Sequence, residues 1–356
     1  MNGAIKPEIF TKLNIPEHYA TQMANRANMA LSTNTKSNYQ TVLNNIVRCE
    51  QTMECDLTFP WETPTKVLTF LAFLLFNRNV KSSTASCQLS GVRMAHLELG
   101  LDSPSLRPAI VKLLLLGTEH WENVSENLEN KTMKSPVTTE MMETIKRNLF
   151  EVNWPLELKY LFWASITLCW NGSTRIHEIL SRVQDNFDPQ TTMLKNDIKL
   201  ITKKVGKELN EIIEVKIKSP KEDRIGNNAV LQIFANNTFL CPVKALKHYV
   251  ETRGGWDKFP TNKPFFVMQN RKCYTGRTFN AHLAQMTANI TDCTGHKVRS
   301  HCLRAGVPSE LARLGATQDE IKGVGRWSSD AWKRYCRLGV THRMNMVERV
   351  CEGLSS

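Results

Sequence analysis

The sequence lacks the features that define several common classes of protein. Its ten cysteines include no Cys-x-x-Cys pair, so the spacing of a structural zinc site is absent. The opening residues lack the pattern of a secretory signal, and we expect reduced thiols in a protein that is not secreted. The most apolar run, residues 67–76, is too short to cross a bilayer and predicts a buried helix instead. These absences argue against a zinc-binding, secreted or membrane-spanning protein.

Positive charge is what the sequence has in excess. The 356 residues carry a formal net charge of +12 at pH 7, with 41% apolar and 22% charged residues. This composition is typical of a globular protein, and the surplus of positive charge favours a polyanionic partner, most simply nucleic acid. Ten basic and four acidic residues lie between positions 293 and 345, so this segment holds half of the net charge.

Residues 31–120 have the periodicity of an all-α domain. One predicted helix carries an apolar stripe made up of Tyr39, Leu43, Ile46 and Val47. Thr63 and Pro64 mark the start of the next helix, which is apolar nearly all round and is therefore predicted at the centre of a small bundle. Residues 1–30 carry little pattern, and we interpret them as an N-terminal extension that is disordered up to residue 12. The polar residues 121–137 are interpreted as a linker.

Residues 138–340 predict a second domain that is mostly helical and contains one small sheet. Thr138 and the capping box Thr317–Glu320 mark the starts of two of its helices. Apolar alternation changes to a period of two in three segments, which predict the strands of a small antiparallel sheet at 198–202, 213–217 and 229–234. The predicted fold class is therefore mainly α, with a helical bundle followed by this domain. Residues 341–356 are left as a C-terminal tail.

Six residues of the second domain suggest chemistry on a phosphate. His301 and Arg304 share a helix face because they are three residues apart, and an imidazole beside a guanidinium suits a phosphate. The others are Arg175, Lys221, Trp327 and Tyr335. Tyr335 could attack a DNA phosphodiester and form a covalent phosphotyrosine. Arginines would then stabilise the charge that develops on the non-bridging oxygens, Lys221 would protonate the leaving oxygen, and His301 would take the tyrosine proton or bind the phosphate. This chemistry needs no metal and no cofactor.

The order of these residues resembles the motif of the tyrosine recombinases, the superfamily of the phage integrases. Their pattern has an Arg with Glu three residues later, a Lys in a β-hairpin, His-x-x-Arg, a His or Trp, and then the Tyr. In this sequence Arg175 with Glu178 comes first, followed by Lys221, His301, Arg304, Trp327 and Tyr335. The segment GRWSSDAWKRYCR looks most like the recombinases of eukaryotic mobile elements, namely DIRS-like and Ngaro-like retrotransposons and cryptons.

The resemblance implies more than a fold. It implies that residues 31–120 are a core-binding domain, that 138–340 are the catalytic domain, and that Glu178 supports its neighbours. It also implies a homotetramer on double-stranded DNA, strand exchange through a Holliday junction, and a tail, 341–356, that docks on a neighbouring subunit. The substrate is then DNA rather than a small molecule, and the protein of a eukaryotic element would act in the nucleus, otherwise in the cytoplasm.

Two assignments remain open within the motif. The family usually has its His or Trp nine residues before the Tyr, where this sequence has Arg326, whereas Trp327 is eight before it. We favour Trp327 with a shorter loop and keep Arg326 as the alternative. Lys218 is the alternative to Lys221, which we favour because a hairpin turn reaches DNA better than a strand does.

The wider DNA contacts and the alternative functions are also predictions. Basic side chains proposed to contact DNA are Arg26, Lys36, Lys81, Arg93, Lys297 and Arg299. The alternative functions are a DNA-relaxing enzyme like the type IB topoisomerases and a domesticated DNA-binding regulator without activity.

Overall fold

The chain forms two compact units, Met1–Lys131 and Thr132–Ser356. The computed structural model describes residues 5–29, 33–101, 108–125, 136–206, 208–218, 229–290, 298–327 and 329–334. The division between the units falls inside the segment 121–137, which the sequence suggested as a linker. The tail 341–356 lies outside the described residues.

The described residues of the first unit form helices joined by loops, with no strand among them. Its helices are α1 (Pro7–Thr11), α2 (Glu17–Met29), α3 (Thr33–Met53), α4 (Pro64–Ala72), which continues into one π-turn (Phe73–Asn77), α5 (Ser82–Glu98) and α6 (Ala109–Ser125). The interpretation of residues up to 12 as disordered is wrong for residues 5–12. The backbone of Ile5 donates to Asn28 Oδ1 at 2.7 Å and accepts from Asn28 Nδ2 at 2.8 Å, which ties this segment to α2. Helix α6 also extends five residues into the predicted linker.

The core of the first unit surrounds α4, as its apolar sequence predicted. Val67, Phe70 and Leu71 of this helix are at most 1% exposed. The stripe of α3 differs from the prediction, because Val42, Ile46 and Cys49 are buried whereas Val47 is 51% exposed. The spacing of the buried set, four and then three residues, is that of a single helix face.

The second unit alternates helices with one small sheet. Its elements are α7 (Thr139–Glu151), α8 (Leu156–Asn171), α9 (Ile176–Ile179), β1 (Ile198–Val205), β2 (Glu208–Ile217), β3 (Ala229–Phe234), α10 (Pro242–Thr252), α11 (Gly276–Met286), α12 (Ser300–Arg313) and α13 (Gln318–Gly325). Short 3₁₀ turns occupy Lys195–Asp197, Trp256–Lys258 and Asp330–Arg334.

The sheet is antiparallel throughout and has the strand order β1-β2-β3. Ile213 of the central strand lies between Leu200 of β1 and Ile233 of β3. Ile213, Val215 and Ile217 are fully buried, so the alternating side chains predicted for this strand do face the core. The predicted fold class, mainly helical with one small three-stranded antiparallel sheet, is confirmed.

Helix α8 is the centre of the second unit, and α12 packs directly against it. Every residue of α8 from Leu161 to Trp170 is buried. A Cβ atom added to Gly306 of α12 would lie 2.2 Å from Trp170 Nε1 and 2.7 Å from the carbonyl oxygen of Val137. Since only glycine fits at this distance, the two helices approach closely at Gly306. This contact sets the position of the first turn of α12, which carries His301 and Arg304.

Candidate active site

Three arginines from distant parts of the sequence converge on one carboxylate, that of Glu178. Arg175 immediately precedes α9, Arg304 lies in the first turns of α12, and Arg326 follows α13. The Glu178 side chain is 7% exposed. We call Glu178 and these three arginines the arginine cluster.

Arg175 is held by the local structure of a short turn. After α8 ends, Ser173 has a left-handed backbone (φ 45°), and the chain then enters α9. Glu178 stands at the third position of this helix. Its Oε2 accepts from the backbone N–H of Arg175 at 3.0 Å, and its Oε1 accepts from Arg175 Nη1 at 3.0 Å. The spacing Arg-x-x-Glu therefore forms a helix cap and an ion pair together.

Arg304 is the most buried member of the cluster. Its side chain is 1% exposed, and Nη1 lies 3.9 Å from Glu178 Oε1. Nη2 donates to the carbonyl oxygen of Gly325 at 3.0 Å, and the guanidinium carbon lies 5.4 Å from the centre of the Trp327 ring. A buried guanidinium needs such contacts because the loss of hydration is costly.

Arg326 joins the cluster through a strained backbone. It follows α13 in the left-handed conformation (φ 54°), a position that helices usually give to glycine. The N–H of Trp327 donates to the carbonyl oxygen of Lys322, and that of Arg326 to Gly323. A non-glycine residue here costs about 1 kcal/mol. The Arg326 side chain is 23% exposed, and its Nη2 donates to Glu178 Oε2 at 2.7 Å.

Trp327 lies next to the cluster but faces the interior. Its side chain is buried with Ile321 and Trp332 in a small apolar cluster. A Cβ atom added to Gly325 would lie 1.8 Å from Trp327 Cζ3, so the indole ring rests directly on that glycine. Arg326 is thus partly exposed and Trp327 is buried, which matters for deciding which of them fills the His or Trp position of the motif.

The cluster has a net positive charge because one carboxylate faces three guanidinium groups. Burial alone would raise the pKa of Glu178, but Arg326, the backbone N–H of Arg175 and Arg304 together lower it below its ordinary value. Glu178 is therefore ionised at neutral pH. With three guanidinium groups and one carboxylate, the cluster carries a formal charge of +2 and can bind an anion.

The other predicted residues lie in different settings. His301 is the second residue of α12 and is half-buried, one helical turn before Arg304. Lys218 is engaged within the protein: its ammonium group contacts the carboxylate of Asp197 and the carbonyl oxygens of Pro189 and Thr192. Lys221, Lys297 and Tyr335 lie outside the described residues.

The side chains predicted to contact DNA differ in exposure. Arg26, Lys81, Arg93 and Arg299 are exposed, and Lys36 is half-buried. In the described parts of the chain there is no group of three or more His, Cys, Asp or Glu side chains that could hold a metal ion. No helix among the described residues is both long and apolar enough to cross a membrane.

Comparison with known proteins identifies the fold. No model of a known protein family matches the sequence, and no curated protein matches it significantly. The XerH site-specific recombinase bound to a palindromic difH substrate has a TM-score of 0.57 and 12% identity, over 99% of this chain and 91% of that chain. The Tn1549 transposon integrase with transposon right end DNA has a TM-score of 0.52 and 13% identity, over 94% and 98%.

A third solved structure leads to the same conclusion about the fold. A lambda integrase dimer bound to a COC′ core site has a TM-score of 0.50 and 14% identity, over 90% of this chain and 93% of that chain. The mostly helical fold with a small antiparallel sheet is that of the tyrosine recombinases.

Proposed function

We propose that this chain is a site-specific DNA recombinase that cleaves and rejoins DNA strands through a phosphotyrosine intermediate. The observation that carries the proposal is the arginine cluster, a partly buried site with a formal charge of +2, near His301 in the fold of the tyrosine recombinases. Three residues of the family motif, Arg175, Glu178 and Arg304, meet there, although Arg304 lies far from the other two in the sequence.

The reaction proposed is a transfer of one phosphodiester bond. The oxygen of Tyr335 attacks the scissile phosphorus and displaces the 5′ oxygen of the next nucleotide, which leaves a 3′-phosphotyrosyl bond and a free hydroxyl. Arg175 and Arg304 stabilise the negative charge that develops on the non-bridging oxygens. A free 5′ hydroxyl from a second strand reverses the step, and two rounds of exchange pass through a Holliday junction.

Proton transfers in this reaction are assigned to Lys221 and His301. Lys221 protonates the departing 5′ oxygen, and His301 receives the proton of Tyr335 or donates a hydrogen bond to the phosphate. We prefer Lys221 to Lys218 because the ammonium group of Lys218 already contacts Asp197 and two backbone carbonyls. Glu178 orients the arginines and does not contact the reacting atoms.

The partner we propose is double-stranded DNA at a recombination site. The three similar structures are complexes with DNA, and one is a transposon integrase. The net charge of +12 and the exposed basic side chains Arg26, Lys81, Arg93 and Arg299 suit a phosphate backbone. We propose a homotetramer on DNA, integration or excision of a mobile element of the eukaryotic type as the purpose, and the nucleus as the site of action.

The decisive experiment uses a nicked suicide substrate, from which the cleaved end diffuses away and traps the covalent intermediate. The wild-type protein is expected to form an adduct that survives a denaturing gel. Tyr335→Phe should bind the same DNA and form no adduct, because its ring lacks the attacking oxygen. An adduct in the Phe variant would exclude Tyr335 as the nucleophile.

The same assay separates the other functions. A relaxing enzyme like the type IB topoisomerases would form the adduct but relax supercoiled DNA without joining two duplexes, and its DNA complex would contain one protein chain by size-exclusion chromatography. An inactive DNA-binding regulator would bind DNA and form no adduct with the wild-type sequence.

A further inference from the structure

Arg326 stands nine residues before Tyr335, and its guanidinium group is the outer member of the arginine cluster. We propose that Arg326 is a catalytic residue: a third guanidinium group that binds a non-bridging oxygen of the scissile phosphate. The inference rests on the proposed recombinase function. It assigns to Arg326 the contact with the phosphate that a His or Trp would make at this position.

Exposure distinguishes Arg326 from its neighbour in the sequence. The Arg326 side chain is 23% exposed, close to the 27% of Arg175, so both side chains are partly accessible to an anion beside Glu178. Trp327 is 8% exposed and packs on Gly325 and against the guanidinium group of Arg304. The indole ring therefore supports the cluster from the interior, and Arg326 is the one of the two that a phosphate can meet.

Hydrogen bonding indicates that Arg326 has capacity for a further acceptor. Nη2 donates to Glu178, but Nε is buried and has no hydrogen-bond partner among the described residues. A buried donor without an acceptor is costly. A phosphate oxygen is the acceptor that suits a guanidinium group best, because two parallel N–H donors match its geometry.

Charge gives a second argument, independent of the hydrogen bonds. With Arg175 and Arg304 alone, Glu178 would leave a formal charge of +1, which balances a phosphodiester in its ground state. Arg326 raises the formal charge to +2, which balances the additional negative charge of the five-coordinate transition state. A group that matches the transition state better than the ground state accelerates the reaction.

The backbone conformation of Arg326 also favours a functional role for its side chain. The left-handed conformation at Arg326 is one that glycine adopts without strain. Strain of this kind is found at sites where a side chain is needed for function. Here the left-handed turn directs the side chain of Arg326 to Glu178, with which it forms a hydrogen bond.

The test compares cleavage of two suicide substrates by matched variants. One substrate has the normal scissile phosphodiester, and the other has a neutral methylphosphonate at that position, which removes the negative charge of one non-bridging oxygen. Arg326→Ala and Arg326→Lys both keep a Cβ atom, so backbone strain is unchanged. Arg313→Ala is the control, because Arg313 is an exposed arginine of α12 that pairs with the nearby Glu310 and lies outside the arginine cluster.

We expect Arg326→Ala to slow phosphodiester cleavage by about 100-fold or more while DNA binding changes little. On the methylphosphonate substrate, Arg326→Ala should slow cleavage by less than about 10-fold, because the negative charge that Arg326 balances is then missing. Arg326→Lys keeps the positive charge but lacks the paired N–H donors of a guanidinium group, so its cleavage rate should lie between those of the wild-type protein and Arg326→Ala. Arg313→Ala should cleave as fast as the wild-type protein. Trp327→Phe should slow cleavage of both substrates equally, as expected of a group that packs behind Arg304.

Two results would overturn the inference and are distinguishable from failure of the proposed function. If the wild-type protein forms the adduct and Arg326→Ala cleaves within about 3-fold of it, Arg326 is not catalytic although the recombinase function stands. Equal losses on the two substrates would show that Arg326 acts only by holding Glu178. If the wild-type protein forms no adduct, the proposed function fails, and this inference fails with it.

Discussion

Glu178 is the residue on which the arrangement of the candidate site depends. Its two oxygens accept from Arg175 on one side and Arg326 on the other, and Arg304 lies behind them. A single carboxylate thus holds three cations that would otherwise repel one another. The role proposed for Glu178 is to orient these groups, while the chemistry belongs to its neighbours.

Replacement of Glu178 by Gln keeps its size and removes its charge. We expect Glu178→Gln to lower the free energy of unfolding by about 3 kcal/mol at pH 7, because the three arginines lose the carboxylate that they share. Urea unfolding of the two proteins measures this difference, with Glu310→Gln as a control, since Glu310 pairs with an arginine that is 59% exposed.

The same pair of proteins tests the pKa of Glu178. Because that pKa is lowered in the folded protein, the unfolded chain binds the proton more readily. The stabilising effect is therefore complete above the ordinary glutamate value of 4.5 and is lost as the pH falls through the lower folded value. The difference between the wild-type protein and Glu178→Gln should shrink only below about pH 4.5. A difference that disappears already near pH 6 would contradict the lowered pKa.

The family motif placed Arg175 and Arg304 at one phosphate, whereas the contact between Glu178 and Arg326 was not predicted. The spacing of Arg175 and Glu178 is that of one helical turn, so their contact follows from the sequence. Arg326 lies 148 residues after Glu178, and no local pattern expresses a contact of that kind. The choice between Arg326 and Trp327 depends on which of the two side chains is buried. A shift of one residue in the turn would exchange their environments, so packing determines the answer and the local sequence does not.

Helices α8 and α12 are the elements that position the site. Helix α8 is buried from Leu161 to Trp170 and ends at the turn before Arg175. Helix α12 lies against it at Gly306, two residues after Arg304. The backbone hydrogen bond from Val137 to the carbonyl oxygen of Cys302 fixes the same region of α12 to the start of the unit.

A methyl group at Gly306 should therefore disturb the site. Gly306→Ala places a Cβ atom within 2.2 Å of the Trp170 ring nitrogen, so we expect a loss of about 2 kcal/mol and slower cleavage as Arg304 is displaced. Gly323→Ala in α13 is the matched control, because its added Cβ atom meets nothing within 4 Å. The control should be as stable as the wild-type protein or more stable by about 0.5–1 kcal/mol. Equal stability of the two variants would contradict the close contact at Gly306.

Elements with strong local signals were predictable from the sequence. The Thr138 cap accepts from the N–H of Met141, and the predicted capping box of Thr317 and Glu320 is present. Helix α1 was missed because five residues are too few to show an apolar period, and α1 buries no side chain of its own. The buried face of α3 was misjudged because Val47 is apolar but lies one position away from the face that packs.

At the scale of the whole molecule, two compact units each have their own core. The cores contain no shared residue: that of the first unit surrounds α4, and that of the second surrounds α8. Charge is a property of the whole chain, and its excess of +12 is what the proposed DNA partner would neutralise. Both the linker proposed at residues 121–137 and the net charge come from composition, which does not depend on packing.

The salt dependence of DNA binding tests the proposed nucleic-acid partner. Binding of duplex DNA should weaken steeply as salt rises, with the logarithm of the association constant falling by about 0.9 for each tenfold increase in salt and each phosphate contact. Arg93→Ala or Arg299→Ala should reduce this slope by about one unit each, with similar effects on all DNA sequences, because phosphate contacts carry no sequence information. Binding that is independent of salt would contradict a nucleic-acid partner.

The arginine cluster also has a consequence for the order in which the protein is made. Arg175 and Glu178 leave the ribosome well before Arg304 and Arg326, so a nascent chain that has already formed α8 and α9 still lacks two of the three cations. We expect contacts so far apart in sequence to form late in folding, because the intervening chain must be ordered first. Prematurely terminated copies that end before Arg304 therefore cannot assemble the cluster, and we expect them to leave DNA intact.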